Sequence, residues 1–211
     1  MKTIGSIEEI FGTRGRVAVL RVLARVSVPL SIRQISAQAG LTHSSAAEAL
    51  NGLVALGVVA AATAGRSRVH WLERRNLWVR GVVLPAFAAE ESMADRVIGE
   101  LRAAVPDEVT SAVIFGSFAR GEMTAESDID LLVVTDDRRT LDAVLEALDA
   151  STQELRAAIG APMSVVGYTL AEARALVGRG DSAMDGVLRE GITLRGIQPA
   201  LWGAHDGNPE D

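Results

Sequence analysis

Asp128 and Asp130 stand two residues apart at the head of an apolar run, SDIDLLVV, that starts at Ser127. Side chains two apart on a strand project from the same face, so the spacing predicts two neighbouring carboxylates at a strand's polar start. Such a pair suits a hard divalent cation, Mg²⁺ or Mn²⁺, which takes oxygen ligands and leaves room for water and substrate phosphates. Upstream, the apolar run SAVIF ends in Gly116 and Ser117. Gly116 lets the backbone approach a phosphate closely, and Ser117 adds a hydroxyl donor. The short helix-like stretch that follows aims amide N–H groups at the anion.

Competing chemistries fail on the same residues. Gly116 to Gly121 has the spacing of a phosphate-binding Walker loop, but Glu122 follows where lysine is required, and the chain's one lysine is Lys2. A serine-hydrolase G-x-S-x-G is absent, and His43, His70 and His205 are scattered without ligand spacing. Cysteine is absent too, which removes disulfides, thiolate metal sites and a cysteine nucleophile.

Gly116, Ser117, Gly121, Ser127, Asp128 and Asp130 match in order and spacing the signature of the nucleotidyltransferase superfamily. The stretch 106–196 resembles its minimal bacterial and archaeal members. The resemblance implies a small mixed sheet flanked by helices. It also implies Gly116, Ser117, Arg120, Gly121 and Ser127 as nucleotide contacts, and Asp128 and Asp130 as catalytic metal ligands. An NTP would be substrate or ligand, with a nucleoside monophosphate transferred to a hydroxyl. Active members bring a third carboxylate from a later strand. In GAPMSVVGYT, Ser164 takes that place, and a serine hydroxyl is a poor metal ligand and no base at neutral pH. Glu122, Glu126, Asp181 and Asp185 are the acids that could substitute.

The elements ahead of this site read differently. Val17, Leu20, Val22, Leu23 and Val26 predict a helix over about 15–26, ended by Pro29. Ser31 is placed to cap a second helix over 32–39, stopped by Gly40. Thr42, or a following serine, caps a third, where Ala46, Ala49, Leu50, Leu53 and Leu56 recur at helical spacing before Gly57. Two strand-like runs around a turn at 64–67 complete the order of a winged helix-turn-helix, and the segment resembles small winged bacterial regulators. In that arrangement the third helix enters the major groove and the hairpin lies beside it. Arg33, His43, Ser44, Ser45, Arg66 and Arg68 are the expected DNA contacts, with Arg14, Arg16 and Asn51 as further candidates. The groove-facing residues carry no arginine, so base readout should be weak or shared with DNA shape.

The expected organisation is a winged helix-turn-helix at 1–75, a helical linker at 76–105, a nucleotidyltransferase-like domain at 106–198 and a tail at 199–211, an α/β (α+β) protein. In the linker Met93, Val97, Leu101 and Ala104 fit one helical face, and Pro85 should kink or start that helix. Charge follows the same division. The first 80 residues carry eleven basic side chains against four glutamates, a balance of +7, while the rest stands at −13 within a total of −6. A basic half suits DNA, and an acidic half suits metal ions or solubility. Nothing in the 211 residues is a long uncharged apolar run, so no membrane partner is expected and the chain reads as cytoplasmic. Three functions stay open: a DNA-binding regulator whose transferase-type domain binds Mg-NTP, an active transferase acting on a protein, RNA or small molecule, and an antitoxin-like interaction module. A homodimer is also open.

Overall fold

The computed structural model describes residues 6–65, 67–124 and 126–203, and the chain forms two compact units that meet in sequence at Met93/Ala94. The first unit opens with a short helix α1 (Ile7–Phe11), absent from the sequence expectation, followed by α2 (Arg14–Ala24). Next come the two-residue strand β1 (Leu30–Ser31), α3 (Ile32–Ala39) and α4 (His43–Ala55). Ser31 caps α3 as its residue type predicts. Its hydroxyl accepts from the Gln34 amide while the Gln34 carboxamide oxygen accepts from Ser31 N at 2.9 Å, a reciprocal capping box. Gly40 closes the helix at φ +63°, and Thr42 caps α4 by accepting from Ser45 N. Leu20, Leu23, Ile35, Leu50 and Leu53 are fully buried together at the centre of the three helices.

The hairpin β2 (Val59–Ala64) and β3 (Ser67–Leu72) forms as expected, and β1 adds a third antiparallel strand to give the order β1-β3-β2. Two residues are too short a signal to be read as a strand. Their pairing, Leu30 with His70 and Ser31 with Val69, puts His70 in the middle strand, where it is buried.

The stretch 76–105 is several pieces rather than one helix. A π-helical turn (Val79–Val83) runs directly into α5 (Leu84–Glu91), with Pro85 in the first turn of α5. Val79 and Val83 are buried in the core of the first unit, and Trp78, Leu84 and Phe87 pack against it. Arg21 on α2 holds Glu90 on α5 through two 2.8 Å bonds and lies 5.6 Å over the Phe87 ring. A separate helix, α6 (Met93–Ala104), contributes Val97 and Leu101 to the second core. Met93, expected on that buried face, is half exposed because α6 begins there.

The second unit is a four-stranded mixed sheet of order β6-β5-β4-β7, built from β4 (Ser111–Phe115), β5 (Ile129–Thr135), β6 (Met163–Thr169) and β7 (Ile192–Gly196). The single-turn helix α7 (Gly116–Ala119) follows β4, and the 22-residue α8 (Arg138–Ile159) carries the chain from β5 to the parallel β6. Helices α9 (Leu170–Gly178) and α10 (Ser182–Glu190) precede β7. Period-two alternation divides β5 cleanly. Leu131 and Val133 pack with α6 and α8, while Leu132 and Val134 pack with α9, α10 and Trp202 on the other face. Trp202, in the segment read as a tail, is fully buried after a 3-10 turn (Pro199–Leu201), and its carbonyl accepts from Arg174 Nε at 2.6 Å.

Candidate functional site

Strand β4 stops at Phe115 because Gly116 turns the chain at φ +72°, a conformation that L side chains rarely adopt. The site allows no side chain there in any case, since a Cβ on Gly116 would strike Asp130 Oδ2. The glycine therefore serves two ends. It makes the turn and brings bare backbone against a carboxylate. α7 begins without a side-chain cap, leaving its first N–H groups, beside the Ser117 hydroxyl, to other acceptors. Gly121, at φ +68°, closes the turn, with its N–H on the Phe118 carbonyl at 3.0 Å and the Glu122 N–H on that of Ser117 at 2.9 Å.

Asp130 lies in β5 opposite Phe115, and Asp128 stands just ahead of the strand rather than within it. The two carboxylates nevertheless feel each other. Burial first, and then the Asp128 charge, push the Asp130 carboxyl above its ordinary value, while Arg120 partly offsets them. Asp128 is exposed and Asp130 half-buried. Ser127 positions the pair from outside: its hydroxyl accepts from Thr124 N and shares a bond with the Thr124 hydroxyl, both at 3.0 Å, fixing the loop that delivers Asp128. The Ser127 hydroxyl is thus engaged by the loop. Arg120 donates to Glu122 at 2.8 Å and reaches Glu190 at the end of α10 at 3.5 Å. Glu190 carries no sequence signal, because only the packing of α10 near α7 brings it here.

In the parallel register Asp130 pairs with Ser164, so the residue aligned with the third acid stands in the strand beside the Asp pair. None of the four substitute acids supplies a third ligand. Glu122 is on Arg120, Asp181 caps α10 through Ala183 N and Met184 N, and Asp185 and Glu126 are exposed. Among the described residues no group of three His, Cys, Asp or Glu side chains could hold a metal ion. The two neighbouring carboxylates, of which Asp130 is raised by burial and by the Asp128 charge, still make a donor pair for one hard divalent ion, whose charge would relieve their repulsion.

In the first unit, Arg33, His43, Ser44, Ser45 and Asn51 are exposed along α3 and α4, and Arg68 is exposed on β3. Arg66 lies outside the described residues. The Ser44 and Ser45 hydroxyls bond the Thr42 hydroxyl at 3.1 and 2.9 Å, which ties them to the head of α4. Arg14 is exposed, whereas Arg16 donates to the Glu9 carbonyl and lies over Gly52, where a Cβ would collide with its guanidinium. Burial, and next the charge of Arg68, hold the His70 imidazole below its ordinary value, with its Nδ1 unpartnered.

Similarity to known proteins divides at the same place. No curated protein matches the chain. Among solved structures, a toxin–antitoxin crystallised with AMP-PNP is similar at 25% identity over 53% of this chain and 81% of that one, with a TM-score of 0.36. Two mutants of the toxin–antitoxin MntA–HpeT are similar at 20% and 23% identity, over 53% and 52% of this chain and 80% and 79% of theirs, with TM-scores of 0.32 and 0.33. Residues 17–62 match the IclR helix-turn-helix domain, and residues 94–171 match the nucleotidyltransferase domain. The chain joins a helix-turn-helix domain of the IclR type to a nucleotidyltransferase domain.

Proposed function

We propose that this protein is a DNA-binding regulator whose C-terminal domain takes a metal-bound nucleoside triphosphate as its signal. The observation that carries the nucleotide half is the apposition of Gly116 to Asp130, with Asp128 close enough to raise the Asp130 carboxyl. A triphosphate brings negative charge to two carboxylates, so it can settle there only with a cation between them. Asp128 and Asp130 would hold Mg²⁺ or Mn²⁺, which would neutralise the phosphates and polarise the α-phosphorus. The chain's own groups do the rest. The Gly116–Ser117 turn offers N–H and hydroxyl donors to phosphate oxygens, Gly121 shapes that turn, and Arg120 supplies a positive charge beside Asp130. Ser127 holds the loop that presents Asp128.

The DNA half rests on the helix-turn-helix match, the +7 balance of the first 80 residues and the exposed Arg33, His43 and Arg68. Transfer to a separate protein or RNA hydroxyl is slow in this reading, because Ser164 stands where a base and third ligand would be. The retained Asp pair favours one further reading, a working transferase. Incubation with α-labelled NTPs and cell extract separates the two. Label on a second molecule, absent with Asp128→Asn/Asp130→Asn, makes the protein an enzyme. The regulator reading itself is tested by DNA affinity with and without Mg-NTP. Coupling requires a changed DNA Kd and, by reciprocity, an equal change in nucleotide Kd with DNA present. Identical affinities in both directions would leave two uncoupled binding domains.

A further inference from the structure

The position that lacks the third acid carries a hydroxyl of its own. Ser164 pairs with Asp130 across parallel strands that lie about 4.8 Å apart. The two side chains leave the sheet on one face. Met163 and Val165 pack on the α8 side, and a Cβ on Gly167 would strike Leu141 and Leu145 there, so Ser164 projects to the opposite side. Asp130 projects that way too, since its neighbours Ile129 and Leu131 are on the α8 side and Leu132 is not. Ser164 is only partly buried, and no group among the described residues bonds its hydroxyl. By contrast, Ser127 and Thr124 bond one another. Tyr168, the next hydroxyl on the same face, stands about 13 Å further along the strand and packs into the α9/α10 core.

We propose that Ser164 is itself the acceptor, and that the domain nucleotidylylates its own chain there. The inference rests on the reading of Asp128, Asp130, Gly116 and Ser117 as a metal–triphosphate site. The Ser164 Oγ attacks the α-phosphorus of the bound NTP and a new P–Oγ bond forms. The bond from the α-phosphorus to the oxygen bridging to the β-phosphate breaks, and that oxygen keeps the electron pair as pyrophosphate departs. The hydroxyl proton leaves to solvent, which reaches the partly exposed Ser164. Serine and NTP thus become a serine–nucleoside monophosphate diester and pyrophosphate, with no oxidant or further reactant. An intramolecular hydroxyl held in the strand beside Asp130 needs no second substrate, and proximity offsets the missing base. The reaction happens once per chain, because the attached nucleotide then fills the site. Loss of the acid and gain of the acceptor are the same substitution.

The test uses the full chain with each of the four common NTPs, Mg²⁺ or Mn²⁺, and two readouts. Calorimetry measures nucleotide binding. Peptide mass mapping follows the fragment 157–174, which trypsin releases between Arg156 and Arg174, both after incubation and in protein taken directly from cells. The expected result is a mass gain of one nucleoside monophosphate less water, assigned by fragmentation to Ser164, and reversed to NTP by excess pyrophosphate. Ser164→Ala and Asp128→Asn/Asp130→Asn should each abolish it. Nucleotide binding with an unmodified 157–174 fragment overturns the proposal and leaves the nucleotide site standing. Mass on Tyr168 or Thr169 instead of Ser164 overturns it as well. Absence of nucleotide binding in the unmodified wild-type chain overturns both this proposal and the site on which it rests.

Discussion

At Gly116 two demands meet on one atom that is not there. Gly116→Ala must adopt a left-handed φ and also push Asp130 Oδ2 aside, so the substitution acts on the Asp pair without replacing either carboxylate. We expect it to lower Mg-NTP affinity at least tenfold while the protein stays folded; calorimetry beside circular dichroism checks this, and unchanged affinity would separate the glycine from the site. The raised Asp130 carboxyl sets a second expectation. A carboxyl raised in the folded state favours folding in its protonated form, so the metal-free protein gains stability as pH falls through that raised value. Metal binding needs the ionised form and must strengthen as pH rises through the same range. Asp130→Asn should therefore raise the melting temperature without metal and remove the further stabilisation that Mg²⁺ gives the wild type at neutral pH. Thermal melts with and without Mg²⁺ across acid to neutral pH would show both. Gly116 and Asp130 were legible in the sequence because spacing along one turn or strand sets them, Ser164 was legible only through the family's pattern, and Asp128 stands just ahead of β5 rather than on it. Glu190 was not, since it reaches Arg120 only through the packing of α10.

At the scale of elements, local signals proved readable where a cap or turn residue fixes the chain. Ser31, Gly40 and Thr42 stand at the ends predicted for them because each satisfies backbone groups within three or four residues. Ser31→Ala should cost about 1 kcal/mol of stability, measured by urea unfolding. The strand Leu30–Ser31 and the break between α5 and α6 escaped the sequence reading for one reason. Pairing with β3 and packing of Val79 and Val83 on the helix-turn-helix core depend on partners distant in sequence, invisible to periodicity. His70 belongs to that hidden pairing. Its imidazole is held below the ordinary value of 6.5, so the unfolded chain takes up a proton before the folded one does. Stability should therefore be full above pH 6.5 and decline as pH falls from there through the depressed value. His70→Gln should flatten that decline in melts followed against pH, and an unchanged slope would assign the decline to other groups.

For the molecule as a whole, the sequence divides charge as the chain divides structure, with the basic residues concentrated before the nucleotidyltransferase domain. No described helix is long and apolar enough to cross a membrane. If the helix-turn-helix domain uses its basic residues on phosphate, Arg66→Ala with Arg68→Ala should weaken DNA binding at all sequences alike. Each phosphate that the variant no longer neutralises should reduce the slope of log K against log salt by about 0.9. A slope equal to wild type would remove these two residues from the interface. The central claim is that Asp128 and Asp130, with the Gly116 turn, form a metal-dependent triphosphate site. Calorimetric titration of NTP into the full chain, with Mg²⁺ and then with chelator, tests it most directly, beside Asp128→Asn/Asp130→Asn. Binding should need both the metal and the two carboxylates. Equal affinity in chelator, or in the double variant, would contradict the claim.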